Sequence, residues 1–247
     1  MRRFFRPTWA EIDLDALVGN LRLLRRRLGA RPKLMFVVKA NAYGHDAVLC
    51  ALAAQKARAA DWLGVSSVEE GVALRDAGVK LPVLVLGSLY PFESVLAAAA
   101  HGLTPAVASL ESARRVAEAA ARVRRRIDVH VKVDTGMGRI GVRPEAAAAL
   151  VADLSAMRGI RVQGLYTHMA KAEDDRSFTR RQLSAFGQVL KALDKQGLRP
   201  PSCTPRTRPP PCGTPSRAST SSARAWPPTA SWTASRRSSR SRASSST

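Results

Sequence analysis

The chain alternates short apolar runs with amphipathic segments, and the pattern restarts at intervals of about thirty residues, which confines it to few architectures. The apolar runs are KLMFVVKA, DWLGVS, LPVLVLGS, LTPAVAS, IDVHVKVD and GLYTHMA, all between residues 33 and 170. Several are almost continuously apolar, as strands buried on both faces of a parallel sheet must be. Helical periodicity occupies the intervals. In LDALVGNLRLLRRRLG, Leu14, Leu17, Leu21, Leu24 and Leu28 form one stripe. SVEEGVALRDAG, SLESARRVAEAAARV, PEAAAALVADLSAM and TRRQLSAFGQVLKALDKQG follow the same rule, and Gly78 to Pro82 and Gly102 to Pro105 punctuate the change from helix to strand.

Six β/α repeats are counted in this way. They predict an α/β fold, either an open doubly wound sheet or a (β/α)8 TIM-like barrel. No GxGxxG follows the first strand, which weighs against a dinucleotide-binding sheet. Lys39, Asp134 and His168 fall at the C-terminal ends of strands, the face on which a barrel carries its site. The sequence therefore predicts an incomplete barrel, with about six of the roughly eight strands a closed one needs.

Composition narrows the classes of function. The formal net charge of +21 suggests nucleic acid at first sight, but residues 199–247 contribute +9 through nine arginines and no acidic residue. The remaining +12 lies partly in runs such as Arg25-Arg26-Arg27 and Arg124-Arg125-Arg126, which read as solvated helix faces. Three cysteines at irregular spacing define neither a disulfide framework nor a zinc site, so no metal is expected. The basic opening lacks the apolar core of a secretion signal, and no window reaches about eighteen uninterrupted apolar residues. The expectation is a cytoplasmic protein that does not cross a membrane.

Three clusters could carry chemistry. Lys39 closes the first strand in VVKANAYGHDA, with Tyr43 and His45 just beyond. An amine at the rim of a barrel either snorkels to solvent or, if partly desolvated, has a lowered pKa and can form a Schiff base. In VKVDTGMGRIG two glycines let the chain turn tightly around Arg139, and an anion is expected between Lys132 and Arg139 if both face inward. GLYTHMA places His168 late on the sixth strand, as a core residue or a catalytic one.

Taken together, KANAYGH after the first strand, DTGMGRIG after the fifth and THMA on the sixth strongly resemble the bacterial alanine racemase family, and PTWAEIDLDALVGNL resembles its opening segment. The resemblance spans residues 5–201. It implies a pyridoxal 5'-phosphate-binding barrel, interconversion of L- and D-alanine for cell-wall precursor supply, and a homodimer. It also implies roles. Lys39 would hold the cofactor and serve as one of two catalytic bases, and Tyr43 would touch its phosphate. Arg139 would contact its phenolic oxygen and help to bind substrate, and His168 would sit near its ring. Lys132 matches a lysine often carbamylated in the family, which would supply the anion beside Arg139.

The pattern departs from the family after residue 201. Beyond Leu198 there is no Leu, Ile, Val, Phe, Met or Tyr, so residues 202–247, rich in Ser, Pro and Arg, are predicted to be a disordered tail. The family's seventh and eighth strands carry HAANSA and RPG…YG segments, and a second domain supplies a tyrosine base to the partner subunit's site. Permissible codons for residues 203–230, read one frame over, regenerate both segments in order. A reading-frame slip between Arg199 and Cys203 is therefore expected. It would place the Asn-Ser pair at Thr207 and Arg208 and the pyridine-facing arginine at Ala223. On that reading the chain as written is an inactive racemase. Two alternatives stand beside it: a one-domain pyridoxal-phosphate-binding barrel that manages cofactor, and an Arg/Ser-rich tail (235–246) that binds RNA.

Overall fold

A computed structural model of the chain describes residues 10–29 and 32–203. Asp13 starts the first helix, α1 (Leu14–Leu28), by accepting the Ala16 N–H at 2.8 Å, and Gly29 ends it at φ +78°. The strands and connections that follow are β1 (Met35–Val37), α2 (Lys39–Gly44), α3 (Ala47–Lys56), β2 (Trp62–Val65), α4 (Val68–Asp76), β3 (Val83–Val85) and α5 (Phe92–Ala100). Then come β4 (Thr104–Val107), α6 (Leu110–Arg122), β5 (Ile127–Lys132), α7 (Pro144–Ala156), β6 (Ile160–Tyr166), α8 (Arg176–Lys195) and β7 (Ser202–Cys203).

The strands form one parallel sheet in the order β1-β2-β3-β4-β5-β6-β7, each paired with its successor. Sequential order with a helix in each crossover is the barrel topology. Among the described residues β1 and β7 are the two open edges, so the barrel is incomplete, as the sequence predicts. Among the described residues the six predicted strands are followed by a further strand of two residues, β7. Ser202 and Cys203 pair with Gly164 and Leu165, so β-structure continues two residues past the expected end of the barrel domain at 201. The disordered tail, the frame-shifted motif positions and the RNA-binding alternative otherwise fall outside the described residues.

The sheet separates two apolar layers. Val129, Val131 and Val133 face outward against Val151, Leu154, Phe186 and Leu193 of α7 and α8. Inside the barrel Trp62, Leu84 and Tyr166 pack together with Met35, Leu86 and Ala106. Burying a side chain such as Leu154 completely stabilises the fold by about 2 kcal/mol. The register of β5 on β6 slips between Val129 and His130, leaving Gln163 as an extra residue. After that bulge Lys132 stands opposite Tyr166, and His130 opposite Gly164. Gly164 has to lack a side chain, because a Cβ would lie 2.5 Å from the Ser202 carbonyl oxygen and 2.6 Å from the His130 ring.

Two helices escape the periodicity. α3 (AVLCALAAQK) and α5 (FESVLAAAA) are so uniformly apolar that no stripe stands out, although both are helical. The arginine runs are also more than solvated faces. Arg25 donates to the Pro32 carbonyl at 2.6 Å and pairs with Asp61, Arg125 donates to the Ala99 carbonyl, and Arg126 donates to the Ile160 carbonyl at 3.0 Å. Each ties the end of one element to another.

Candidate active site

Lys39 leaves the C-terminal end of β1 and opens α2, which is not a right-handed helix. Ala40, Asn41, Ala42 and Tyr43 all have φ between 50° and 55° and ψ between 37° and 49°, a full left-handed turn without glycine. Such a conformation costs about 1–2 kcal/mol per residue for L-amino acids, so the surroundings must hold it. Glu70 of α4 accepts the Ala40 N–H at 2.7 Å, and also the Ser66 N–H and hydroxyl at 2.7 and 2.9 Å. The Ala42 N–H reaches the Val38 carbonyl at 2.8 Å, and the Asn41 side chain accepts the Ala47 N–H at 2.9 Å. Lys39 is half-buried, with its Nζ 5.9 Å from the centre of the Tyr43 ring, whose residue is 61% exposed. The ring nitrogen Nδ1 of His45 lies 2.9 Å from the Ala42 carbonyl, so this histidine closes the turn.

Lys132, the last residue of β5, is 6% exposed, and its Nζ lies 5.8 Å from the centre of the Tyr166 ring. The chain then loops out and returns, with Val142 donating to the Lys132 carbonyl and Asp134 donating to that of Val142. The Asp134 carboxylate is occupied within the loop. It accepts the N–H groups of Gly136, Met137 and Gly138 at 2.8–3.1 Å. Burial alone would raise its pKa, but these hydrogen bonds outweigh burial and lower it. Gly141, at φ +142°, is required where the loop closes, because a Cβ there would lie 2.6 Å from the Asp134 nitrogen. Arg139 stands exposed at the tip.

His168 lies two residues beyond β6 rather than on it, and it is exposed. Its pKa is lowered by partial desolvation and by the charges of Arg139, Lys132 and Lys39. The Lys132 pKa is lowered by burial, by Arg139 and by Lys39, with Asp134 opposing. The fold therefore gathers Lys39, Lys132, Arg139 and His168 from three parts of the chain into one electropositive mouth. A cavity of about 310 Å3 adjoins it between the ends of β3 and β4, lined among others by Tyr90, Ser109, Arg115, Lys132 and Ile140.

Sequence reasoning missed Glu70, Gln182 and the two residues that precede Lys132 in the interior column on β5, Asp128 and His130. Asp128, His130 and Lys132 alternate with outward valines in IDVHVKVD, a period of two that marks them as one face of a strand. The His130 ring lies 5.2 Å from Trp62 and 6.5 Å from Tyr166. The Tyr166 hydroxyl donates to the Leu86 carbonyl at 3.2 Å.

The family model "Alanine racemase, N-terminal domain" matches residues 12–206. The chain belongs to this family. An alanine racemase of Symbiobacterium thermophilum is 45% identical over 196 residues, covering 79% of this chain and 51% of that protein. The alanine racemase of Halothermothrix orenii is 43% identical over 195 residues, covering 78% of this chain and 51% of its own length. Among solved structures, alanine racemase of Clostridium difficile 630 in complex with cycloserine superposes with a TM-score of 0.77. It is 35% identical over 81% of this chain and 55% of that one. The chain thus spans about half the length of the alanine racemases it matches. The family assignment favours the racemase reading over the one-domain cofactor-managing barrel. Among the described residues no helix is long and apolar enough to cross a membrane.

Proposed function

We propose that this chain carries the pyridoxal 5'-phosphate-holding half of an alanine racemase site, with Lys39 as the amine that binds the cofactor and moves a proton on one face of the substrate Cα. The observation that carries the reading is the convergence of Lys39 with Lys132, Arg139 and His168 at the barrel mouth. The donor set fits the cofactor. A half-buried primary amine suits its aldehyde, and a cluster of cations with few opposing charges suits a phosphate ester and a phenolate oxygen. When bound, the cofactor supplies an electron-withdrawing ring that acidifies the Cα–H of an amino acid.

The remaining roles belong to side chains of this chain. Tyr43, beside Lys39, would offer its phenol to the phosphate. Arg139 would meet the phenolic oxygen and the substrate carboxylate, which a guanidinium can bind with two donors. His168 sits among three cations that favour its neutral form, so it adds no further charge near the ring. The lowered pKa of Lys132 enlarges the fraction of neutral amine, the form that adds CO2 and releases a proton to become a carbamate. That anion would stand beside Arg139. Inversion needs a second acid/base on the opposite face of Cα. We propose that it is a tyrosine of a second domain on a partner subunit, as in the family, with alanine as substrate and the cytoplasm as location.

Incubating the chain with cofactor and L- or D-alanine in D2O and following the Cα proton by NMR tests this reading. Lys39 acting alone exchanges the Cα proton of one enantiomer without inverting it, and Lys39→Arg abolishes the exchange. Exchange that persists in Lys39→Arg would contradict the assignment.

A further inference from the structure

The exposed Arg139 and His168 sit on separate connections, and something must fix their mutual position for them to act on one ligand. We propose that Gln182 of α8 is a positioning residue that holds the Arg139-bearing loop and the His168-bearing segment together at the barrel mouth. The proposal goes beyond the assignment of a cofactor, and rests on it only for the choice of Arg139 and His168 as site residues.

Gln182 is a polar side chain that is 1% exposed, lodged in the layer formed by Phe186, Val189 and Leu193. Burying a carboxamide is unfavourable unless its valences are met, and here they are met across two loops. Its Nε2 donates to the Thr135 hydroxyl at 3.2 Å and to the His168 carbonyl at 3.1 Å. Its Oε1 accepts the Ala170 N–H at 2.9 Å. A flipped amide would set donor against donor and acceptor against acceptor, so the network fixes its orientation. The Thr135 hydroxyl, accepting from Gln182, is free to donate to the Thr167 hydroxyl 2.7 Å away, which adds a second tie between the loops.

The clasp continues towards Arg139. At Gly136, φ is +139°, and a Cβ would lie 2.8 Å from the tip of the Phe178 ring and 3.6 Å from Gln182 Cγ, so α8 presses directly on the loop. Asp134 then gathers the Gly136, Met137 and Gly138 N–H groups and delivers the chain to Arg139. On the other side, the carbonyl that Gln182 holds belongs to His168 itself. A single buried carboxamide therefore touches Thr135, the third residue after Lys132, and the backbone of His168.

The full chain tests this without cofactor, so a failure to bind pyridoxal phosphate leaves the test intact. The His168 titration is followed by NMR in wild type, Arg139→Gln, Gln182→Leu and the double variant. The charges that face His168 are Lys39, Lys132 and Arg139. In wild type, Arg139→Gln is expected to raise the His168 pKa. In the Gln182→Leu background the same substitution is expected to raise it by roughly half as much or less, because the arginine is no longer held nearby. A purely structural role for Gln182 leaves that coupling unchanged, and an unchanged coupling overturns the proposal. Thr135→Val answers the question if Gln182→Leu does not fold. It is expected to lose the coupling, with Thr135→Ser restoring it, and full coupling in Thr135→Val is the contrary result.

Discussion

His130 is placed where acid should unfold the protein early. The residue is 5% exposed inside the barrel, and its Nε2 has no hydrogen-bond partner among the described residues. Burial pushes its pKa from 6.5 down to about 4, with Gln163 and Asp128 pulling it back only in part. The folded state thus resists a proton that the unfolded state accepts from pH 6.5 downward. Stability from this group is fully present above pH 6.5 and is lost as pH falls towards 4. Linkage between those values gives a loss of about 2 kcal/mol from pH 7 to pH 5, rising to about 3 kcal/mol below pH 4. The lowered carboxylates, Glu70 and Asp134 among them, begin to contribute only below their ordinary values of 4.5 and 3.8, so the upper window isolates histidine. His168 acts in the same direction but more weakly, because it is exposed and water screens it. Urea unfolding at pH 7 and pH 5 reads the loss directly. His130→Phe keeps an aromatic ring between Trp62 and Tyr166 and is expected to remove most of the pH dependence. Wild type equally stable at both pH values, or an unchanged slope in His130→Phe, would refute the reasoning.

Other substitutions probe the supports of the site. Glu70→Ala strips the acceptor from the Ala40 and Ser66 N–H groups, and is expected to cost about 1–3 kcal/mol in urea unfolding and to weaken cofactor capture by Lys39. Gly141→Ala puts a Cβ against the Asp134 backbone at a φ of +142°. It is expected to destabilise the fold by more than about 1 kcal/mol and to reduce the influence of Arg139 on the His168 titration. Asp134→Ala removes the acceptor of three loop N–H groups and is expected to give the same loss of influence, checked by the same NMR titration.

The strands and the residues at their C-terminal ends were legible because a parallel sheet buries both faces and a β/α fold carries its site at that end. Lys39, Lys132, Arg139 and His168 all came from that rule together with the motifs around them. The left-handed turn after Lys39 was not legible. Its residues are mostly ones that avoid positive φ, and the force that holds them comes from Glu70, thirty residues away in sequence. Gln182 was hidden for a related reason: in TRRQLSAFGQVL it reads as one more polar position on an exposed helix, and only tertiary contact makes it a buried clasp. α3 and α5 were not legible because their long apolar runs, AVLCALAA and VLAAAA, leave no polar face to mark a period. Arg25, Arg125 and Arg126 looked solvated because a sequence does not show which carbonyls stand nearby.

The central claim is that Lys39 is the amine that takes the cofactor. Incubating the chain with pyridoxal 5'-phosphate, reducing with borohydride and mapping the modified peptides by mass spectrometry tests it most directly. The expected result is a phosphopyridoxyl group on Lys39, with Lys33, Lys56, Lys80, Lys171, Lys191 and Lys195 essentially unmodified, and loss of the label in a folded Lys39→Arg variant. Labelling spread evenly over the surface lysines, or centred on another lysine, would contradict the account.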